Sequence, residues 1–159
     1  MELRKEECSY TSCYCEENTY LLCKRFAEAN VKCWALWISN HRKSVAIWHQ
    51  GGGGDGGGAG KAGDNEDDEN EGLVVWDYHV VCLVHPLGTP PLVLDLDTRL
   101  EFPILMSHYI SKSFRPHSRQ IPRDLRPLFR VVPAPGQYGS LFDLILMSDH
   151  HYLQQFFMT

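Results

Sequence analysis

The chain has 159 residues, 43% of them hydrophobic with four tryptophans, a size that suits one domain with a real core. Its formal charge of −5 is concentrated: residues 51–72 hold seven acids and one lysine, which leaves the remainder close to neutral. Such a body lacks the clustered basic face of a nucleic-acid binder, no run of about 20 apolar residues is present to span a bilayer, and the charged start Met1–Glu7 does not read as a signal peptide.

The expectation is a single domain over 1–159, a monomer, cytoplasmic or nuclear, with neither nucleic acid nor membrane among its partners. Its six cysteines (Cys8, Cys13, Cys15, Cys23, Cys33, Cys82) then read as reduced thiols.

Residues 1–12 are polar and end in Tyr10-Thr11-Ser12, where a serine or threonine can cap a helix. A helix is predicted from Cys13 or Cys15 to Ala29. Glu16 and Glu17 fall in its first turn, Lys24 and Arg25 near its end, and Tyr20, Leu21, Cys23 (or Lys24) and Ala27 at roughly helical spacing. Cys15 then stands at a helix N-terminus, where the dipole favours thiolate character. Residues 33–39 and 44–49 read as two strands of a hairpin joined by the polar turn Asn40–Lys43. Gly51–Gly72, with ten of the thirteen glycines and an acidic run, is predicted to be a disordered loop inserted between strands. Gly60-Lys61 is not followed by Ser or Thr, so a phosphate cradle is not indicated.

The β-branched and aromatic run Val74–Val81 predicts a strand over 73–84. Alternation sends Asp77, His79 and Val81 to one face and Trp76, Tyr78 and Val80 to the other, with Trp76 and Tyr78 expected as core anchors. After the turn-rich His85–Pro91, Leu92–Asp97 reads as the partner strand, with Asp95 and Asp97 on one face. A hairpin centred near residue 87 sets His79 opposite Asp95; one centred near 88 sets it opposite Asp97. A helix over 102–114, a basic connection over 115–127, a strand at Phe129–Val132 and a divergent tail over 133–159 complete the chain.

A cysteine at a helix start, a histidine on a strand and an aspartate on the neighbouring strand are the set used for thiol acyl transfer, in which the acid orients the imidazole that activates the thiol. Spacing leaves Cys13 against Cys15, and Asp95 against Asp97, open. Cys13, Cys15, His79 and Asp95 could in principle ligate zinc, but no Cys-x2-Cys pair occurs, so no metal is assigned. The structural alternative is a packed histidine among cysteines that serve as small hydrophobes.

Two stretches go beyond spacing. Ser12-Cys13-Tyr14-Cys15-Glu16-Glu17-Asn18 with Leu21-Leu22-Cys23, and Trp76-Asp77-Tyr78-His79-Val80 followed by Leu94-Asp95-Leu96-Asp97-Thr98, resemble the protein N-terminal glutamine amidohydrolase family. Ile38-Ser39-Asn40, Ile47-Trp48 and Phe129-Arg130-Val131-Val132 resemble that family's connecting blocks, so the resemblance covers about residues 8–135 apart from the insert. It implies an α+β fold, a papain- or transglutaminase-like α-β-α sandwich with a mostly antiparallel sheet flanked by helices. It matches the family's nucleophile to Cys15, its base to His79 and its orienting acid to Asp95. The implied activity is hydrolysis of the side-chain amide of an N-terminal glutamine on proteins or peptides, giving glutamate and ammonia in the arginine N-degron pathway, with no cofactor. Recognition of the free α-amino group needs a nearby acid or carbonyls, for which Glu16, Asp77 and Asp97 are the candidates. After Val132 the chain departs from the family's Ala-Ser-Asp-Arg-x-His-Met block, of which Leu146–His151 is a faint echo. That departure raises two alternatives: a truncated, catalytically impaired form acting through binding, and a different papain-like thiol hydrolase.

Overall fold

Alternate residues of two neighbouring strands feed two different cores, which is why a helix packs on each side of one sheet. The structure, a computed structural model, describes residues 3–51, 72–116, 118 and 121–134. The disorder expected of the Gly/acid insert and the divergence expected of the tail concern segments that lie almost wholly outside these residues. β1 (Lys32–Ser39) and β4 (His79–His85) pair antiparallel, from Lys32 opposite His85 to Ile38 opposite His79. β5 (Leu92–Leu94) and β6 (Ile104–Leu105) extend the sheet beyond β4, and β7 (Leu128–Pro133) flanks β1. The order is β6-β5-β4-β1-β7, with every pairing antiparallel.

Trp34, Leu36 and Ile38 of β1, with Val81 and Leu83 of β4, pack against Met106, Tyr109, Ile110 and Phe114 of α2 (Met106–Phe114). Their sequence neighbours Cys33, Cys82 and Val84 turn the other way and meet Leu22, Cys23 and Phe26 of α1 (Cys15–Glu28). The fold class is therefore α+β, as expected.

α1 begins within the expected bounds, but its buried face is Cys15, Asn18, Thr19, Leu22, Cys23 and Phe26, while Tyr20 and Leu21 are exposed. Two polar residues occupy the core side because both find partners there. The Asn18 amide exchanges two hydrogen bonds with the backbone of Thr11, at 2.9 and 2.8 Å, and the Thr19 hydroxyl donates to the Val80 carbonyl at 3.0 Å. Neither Thr11 nor Ser12 caps the helix; Tyr14 is the capping residue and its side chain makes no capping bond.

The strand expected over 73–84 is broken. β3 (Val74–Trp76) pairs with β2 (Val45–Ile47) in a separate two-stranded sheet, so residues 44–49 form no hairpin with β1. Asp77 makes the break: its Oδ1 accepts the Tyr78 N–H at 2.8 Å and its carbonyl accepts the Ser39 hydroxyl at 2.6 Å, so these groups are met outside a ladder. The helix expected from residue 102 begins only at Met106. Ile104 and Leu105 pair with Val93 and Leu92, and the Met106 N–H is taken by the Pro91 carbonyl at 3.0 Å. The strand expected over 92–97 ends at Leu94.

Gln50, shortly after β2, and Gly72, shortly before β3, form a clasp. The Gln50 N–H donates to the Gly72 carbonyl at 2.9 Å. Gly72 has a φ of +59°, and a Cβ there would stand 3.0 Å from the Gln50 nitrogen and the His49 Cα, so glycine alone fits without strain. Among the described residues no helix is long and apolar enough to cross a membrane.

Leu83 is fully buried between β1 and α2, whereas Leu87 is fully exposed in the β4–β5 turn. Leu83→Ala is expected to lower the unfolding free energy by about 2–5 kcal/mol in urea titrations. Leu87→Ala should stay within about 0.5 kcal/mol of the parent. Equal costs for the two would rule out this core.

Candidate active site

β5 stops at Leu94 and the chain turns. The Asp97 N–H reaches Asp95 Oδ1 at 2.9 Å, and the Thr98 N–H reaches the Asp95 carbonyl at 3.4 Å. The hairpin register has Cys82 opposite Leu94 and Val84 opposite Leu92, so its centre is residue 88. In a straight strand that register would set Asp97 across from His79. The turn instead delivers Asp95, whose Oδ1 lies 3.0 Å from His79 Nε2, with both residues buried.

Asp95 Oδ2 is held as firmly. Gln50 Nε2 donates to it at 3.1 Å and the Tyr109 hydroxyl at 2.8 Å. Four donors, from His79, Asp97, Gln50 and Tyr109, thus occupy the two oxygens. Sequence reasoning missed Gln50 and Tyr109, and no local signal marks them. One precedes the glycine run and the other is an apolar-face residue of α2.

Trp76 is also relocated. It stacks on the His79 ring, with centroids 4.9 Å apart and planes inclined by 20°, because the break at Asp77 cancels the alternation that set it on the opposite face. Trp76 still packs, partly buried, against the core that α2 covers, but Tyr78 is not a core anchor: it donates to the Glu16 carboxylate and stacks on the half-exposed Trp37.

With Nε2 facing a carboxylate, that nitrogen carries the proton, and the ring's chemistry falls to Nδ1. Nδ1 is buried and makes no hydrogen bond of normal geometry among the described residues. Cys15 is buried in the first turn of α1, which the Thr19–Val80 bond pins beside His79 on β4. Burial disfavours the imidazolium, but the charge and hydrogen bond of Asp95 outweigh it, and the adjacent Cys15 thiol acts in the same direction. His79 is accordingly pushed up to about 10. Burial also opposes the Asp95 carboxylate, and there the His79 charge and hydrogen bond, with Gln50 and the Asp97 N–H, hold it down at about 2. Both shifts describe one buried, charge-separated pair. Burial, and then the Asp95 charge, push the Tyr109 hydroxyl well above the ordinary phenol value, so it stays a donor.

Of the two cysteines that spacing left open, Cys13 is exposed on a left-handed turn with φ 66° and Cys15 lies in the site. His79, Asp95 and Asp97 bring ligand-type atoms within 4.8 Å of one another. His79 Nε2 and both Asp95 oxygens are already committed, and Asp97 Oδ1 accepts the Tyr10 hydroxyl at 2.6 Å. A cation would have to displace those bonds, so the set suits a proton-bonded network. Chemically, an imidazole oriented by a fixed acid and set beside a thiol is an arrangement able to serve nucleophilic catalysis.

The sequence signature of the N-terminal glutamine amidase family matches residues 10–149, past residue 135, where the resemblance read from motifs stops. The proteins named protein N-terminal glutamine amidohydrolase in Drosophila willistoni and Drosophila virilis are each 39% identical to this chain over 132 residues. Those residues are 80% of this chain and 57% of each relative, so the chain spans little more than half the length of the relatives it matches. With Cys15, His79 and Asp95 all inside the matched span, the chain belongs to the N-terminal glutamine amidase family.

Proposed function

We propose that the protein is a thiol amidohydrolase that converts an N-terminal glutamine of a protein or peptide into glutamate and ammonia, acting in the arginine N-degron pathway. The observation that carries this reading is the hold on Asp95. Four donors fix the carboxylate, the carboxylate fixes Nε2 of His79, and the remaining ring nitrogen is left for Cys15. Family membership and the names of the relatives support the substrate. A helix on each face of an antiparallel sheet, with Cys15 opening one of them, supports a papain- or transglutaminase-like architecture. The six free thiols support a reducing compartment, cytoplasmic or nuclear.

In the reaction we infer, Cys15 attacks the side-chain amide carbon as the thiolate, with the proton already held on the neighbouring His79. A C–S bond forms and the carbonyl electrons move to oxygen, where backbone N–H groups at the start of α1 stabilise the charge. Collapse breaks the C–N bond, and His79 protonates the departing nitrogen to ammonia. His79 then takes a proton from water as the water attacks the thioester. The C–S bond breaks, glutamate leaves, and the Cys15 thiolate beside protonated His79 is restored.

On a Gln-initiated peptide the chain is expected to release ammonia, Cys15→Ala to reduce release to background, and His79→Ala to lower kcat/KM by about 10²–10⁴-fold. No release from the intact chain, with a longer relative active in parallel, would overturn the proposal. Equal turnover of a peptide carrying only internal glutamine would point to a different thiol hydrolase.

The His79–Asp95 pair also gives stability a definite pH dependence. Folded His79 holds its proton more tightly than the ordinary 6.5 implies, so its contribution is complete below about pH 6.5 and is lost as the pH rises through about 10. Asp95 is depressed from 3.8, so its contribution is present above 3.8 and is lost as the pH falls through about 2. Urea midpoints should therefore decline from neutral towards alkaline pH, and His79→Gln should flatten that decline. An unchanged slope in His79→Gln would assign the effect to another group.

A further inference from the structure

A glutamine at a chain start offers a second handle besides its carboxamide: an α-ammonium four bonds from the amide carbon, roughly 5 Å away when extended. The structure separates the three acids that could receive it. Glu16 is engaged, with one oxygen accepting the Tyr78 hydroxyl and the other 3.6 Å from the Cys15 sulfur. Asp77 is exposed, and its Oδ1 accepts the N–H of Tyr78.

Asp97 differs from both. It is 8% exposed and lines, with Cys15, Leu94 and Leu96, a small cavity at the start of α1. With Leu96, Tyr10 and Gly51 it also lines an open groove of about 490 Å³, so it borders both spaces. Its backbone is locked: the N–H donates to Asp95, and the carbonyl accepts the Gly51 N–H at 2.5 Å. Its Oδ1 is oriented by the Tyr10 hydroxyl, and Oδ2 receives no hydrogen bond among the described residues. One carboxylate oxygen of Asp97 lies within 4.8 Å of both a His79 nitrogen and an Asp95 oxygen, and Asp97 shares the lining of one cavity with Cys15.

We propose that Asp97 accepts the α-ammonium of the substrate's first residue, with Tyr10 positioning the carboxylate and the following residues leaving through the groove. This rests on the amidohydrolase reading of the site. It supplies the selectivity that reading requires, because an internal glutamine has only a neutral amide nitrogen to offer and would leave a shielded carboxylate unpaired.

The test uses a peptide whose first residue is a diazoketone analogue of glutamine, which alkylates a thiol at the carboxamide position without turnover, and the same peptide acetylated on its α-nitrogen. Labelling of Cys15 in the full chain is followed by mass spectrometry. The free-amine peptide should label on the order of 10²-fold faster than the acetylated one. Asp97→Asn should label both at similar rates, Tyr10→Phe should narrow the preference, and Glu16→Gln and Asp77→Asn should keep it. No preference or no labelling in the intact chain, a preference retained in Asp97→Asn, or one lost in Glu16→Gln or Asp77→Asn would each overturn the assignment. The last two variants keep the test decisive if Asp97→Asn fails to fold. Preferential labelling without ammonia release from a Gln-initiated peptide would sink the hydrolase reading and leave the ammonium site standing.

Discussion

The constraint on which the rest of the structure depends is the buried negative charge of Asp95. An ionised carboxylate withdrawn from water is tolerated only where donors replace the water on both oxygens. Here the donors come from four places: the first residue of the central strand β4, the residue before the glycine run, the turn that ends β5, and the middle of α2. Satisfying one charge therefore fixes the relative positions of four segments that are distant in sequence. What this confers on His79 is orientation, since neither the acid nor the imidazole can rotate without breaking bonds in a dry environment.

The two helices make unequal contributions from opposite sides of the sheet. α1 presents its first residue, Cys15, and is tied to β4 by a polar residue, Thr19, on its buried face. α2 packs its aromatic face on the other core and sends a single hydroxyl, that of Tyr109, to Asp95. The small sheet formed by β2 and β3 adds a third wall, because Trp76 lies over the His79 ring. The site thus sits where three separately packed layers meet, at the beginning of β4. Each layer has its own reason to be stable, and the chemistry inherits the rigidity.

Much of this was legible in the sequence, and the limits have physical causes. A helix start at Cys13 or Cys15, strands over 33–39 and 129–132 and a hairpin centred near residue 87 or 88 follow from period and composition, while the choice of Cys15 and Asp95 to go with His79 comes from the motif resemblance. The buried face of α1 does not, because hydrophobicity cannot foresee that Asn18 and Thr19 will be hydrogen-bonded inside. The division of residues 74–85 into strands of two different sheets does not, because a side chain satisfying its own residue's neighbour looks like any aspartate in a β-rich run. Extrapolating the correct register beyond Leu94 gives the wrong acid, since the turn at Asp95 is set by tertiary bonds. Gln50 and Tyr109 were out of reach for the same reason: their role exists only once the fold has brought them to one carboxylate.

The clasp between Gln50 and Gly72 has a bearing on how such a domain tolerates change. The residue that enters the clasp also grips Asp95, and the residue that closes it lies one hydrogen bond away. The residues that bound the joining sequence are hydrogen-bonded to each other, so its length is not a geometric variable of the Asp95 network. The closure entropy of such a span grows only with the logarithm of its length. Segments differing severalfold in length could be exchanged there with the same two endpoints, which makes this junction a natural port for grafting or for divergence between relatives. The acid, the imidazole and the thiol would not register the exchange as long as a glycine occupies position 72.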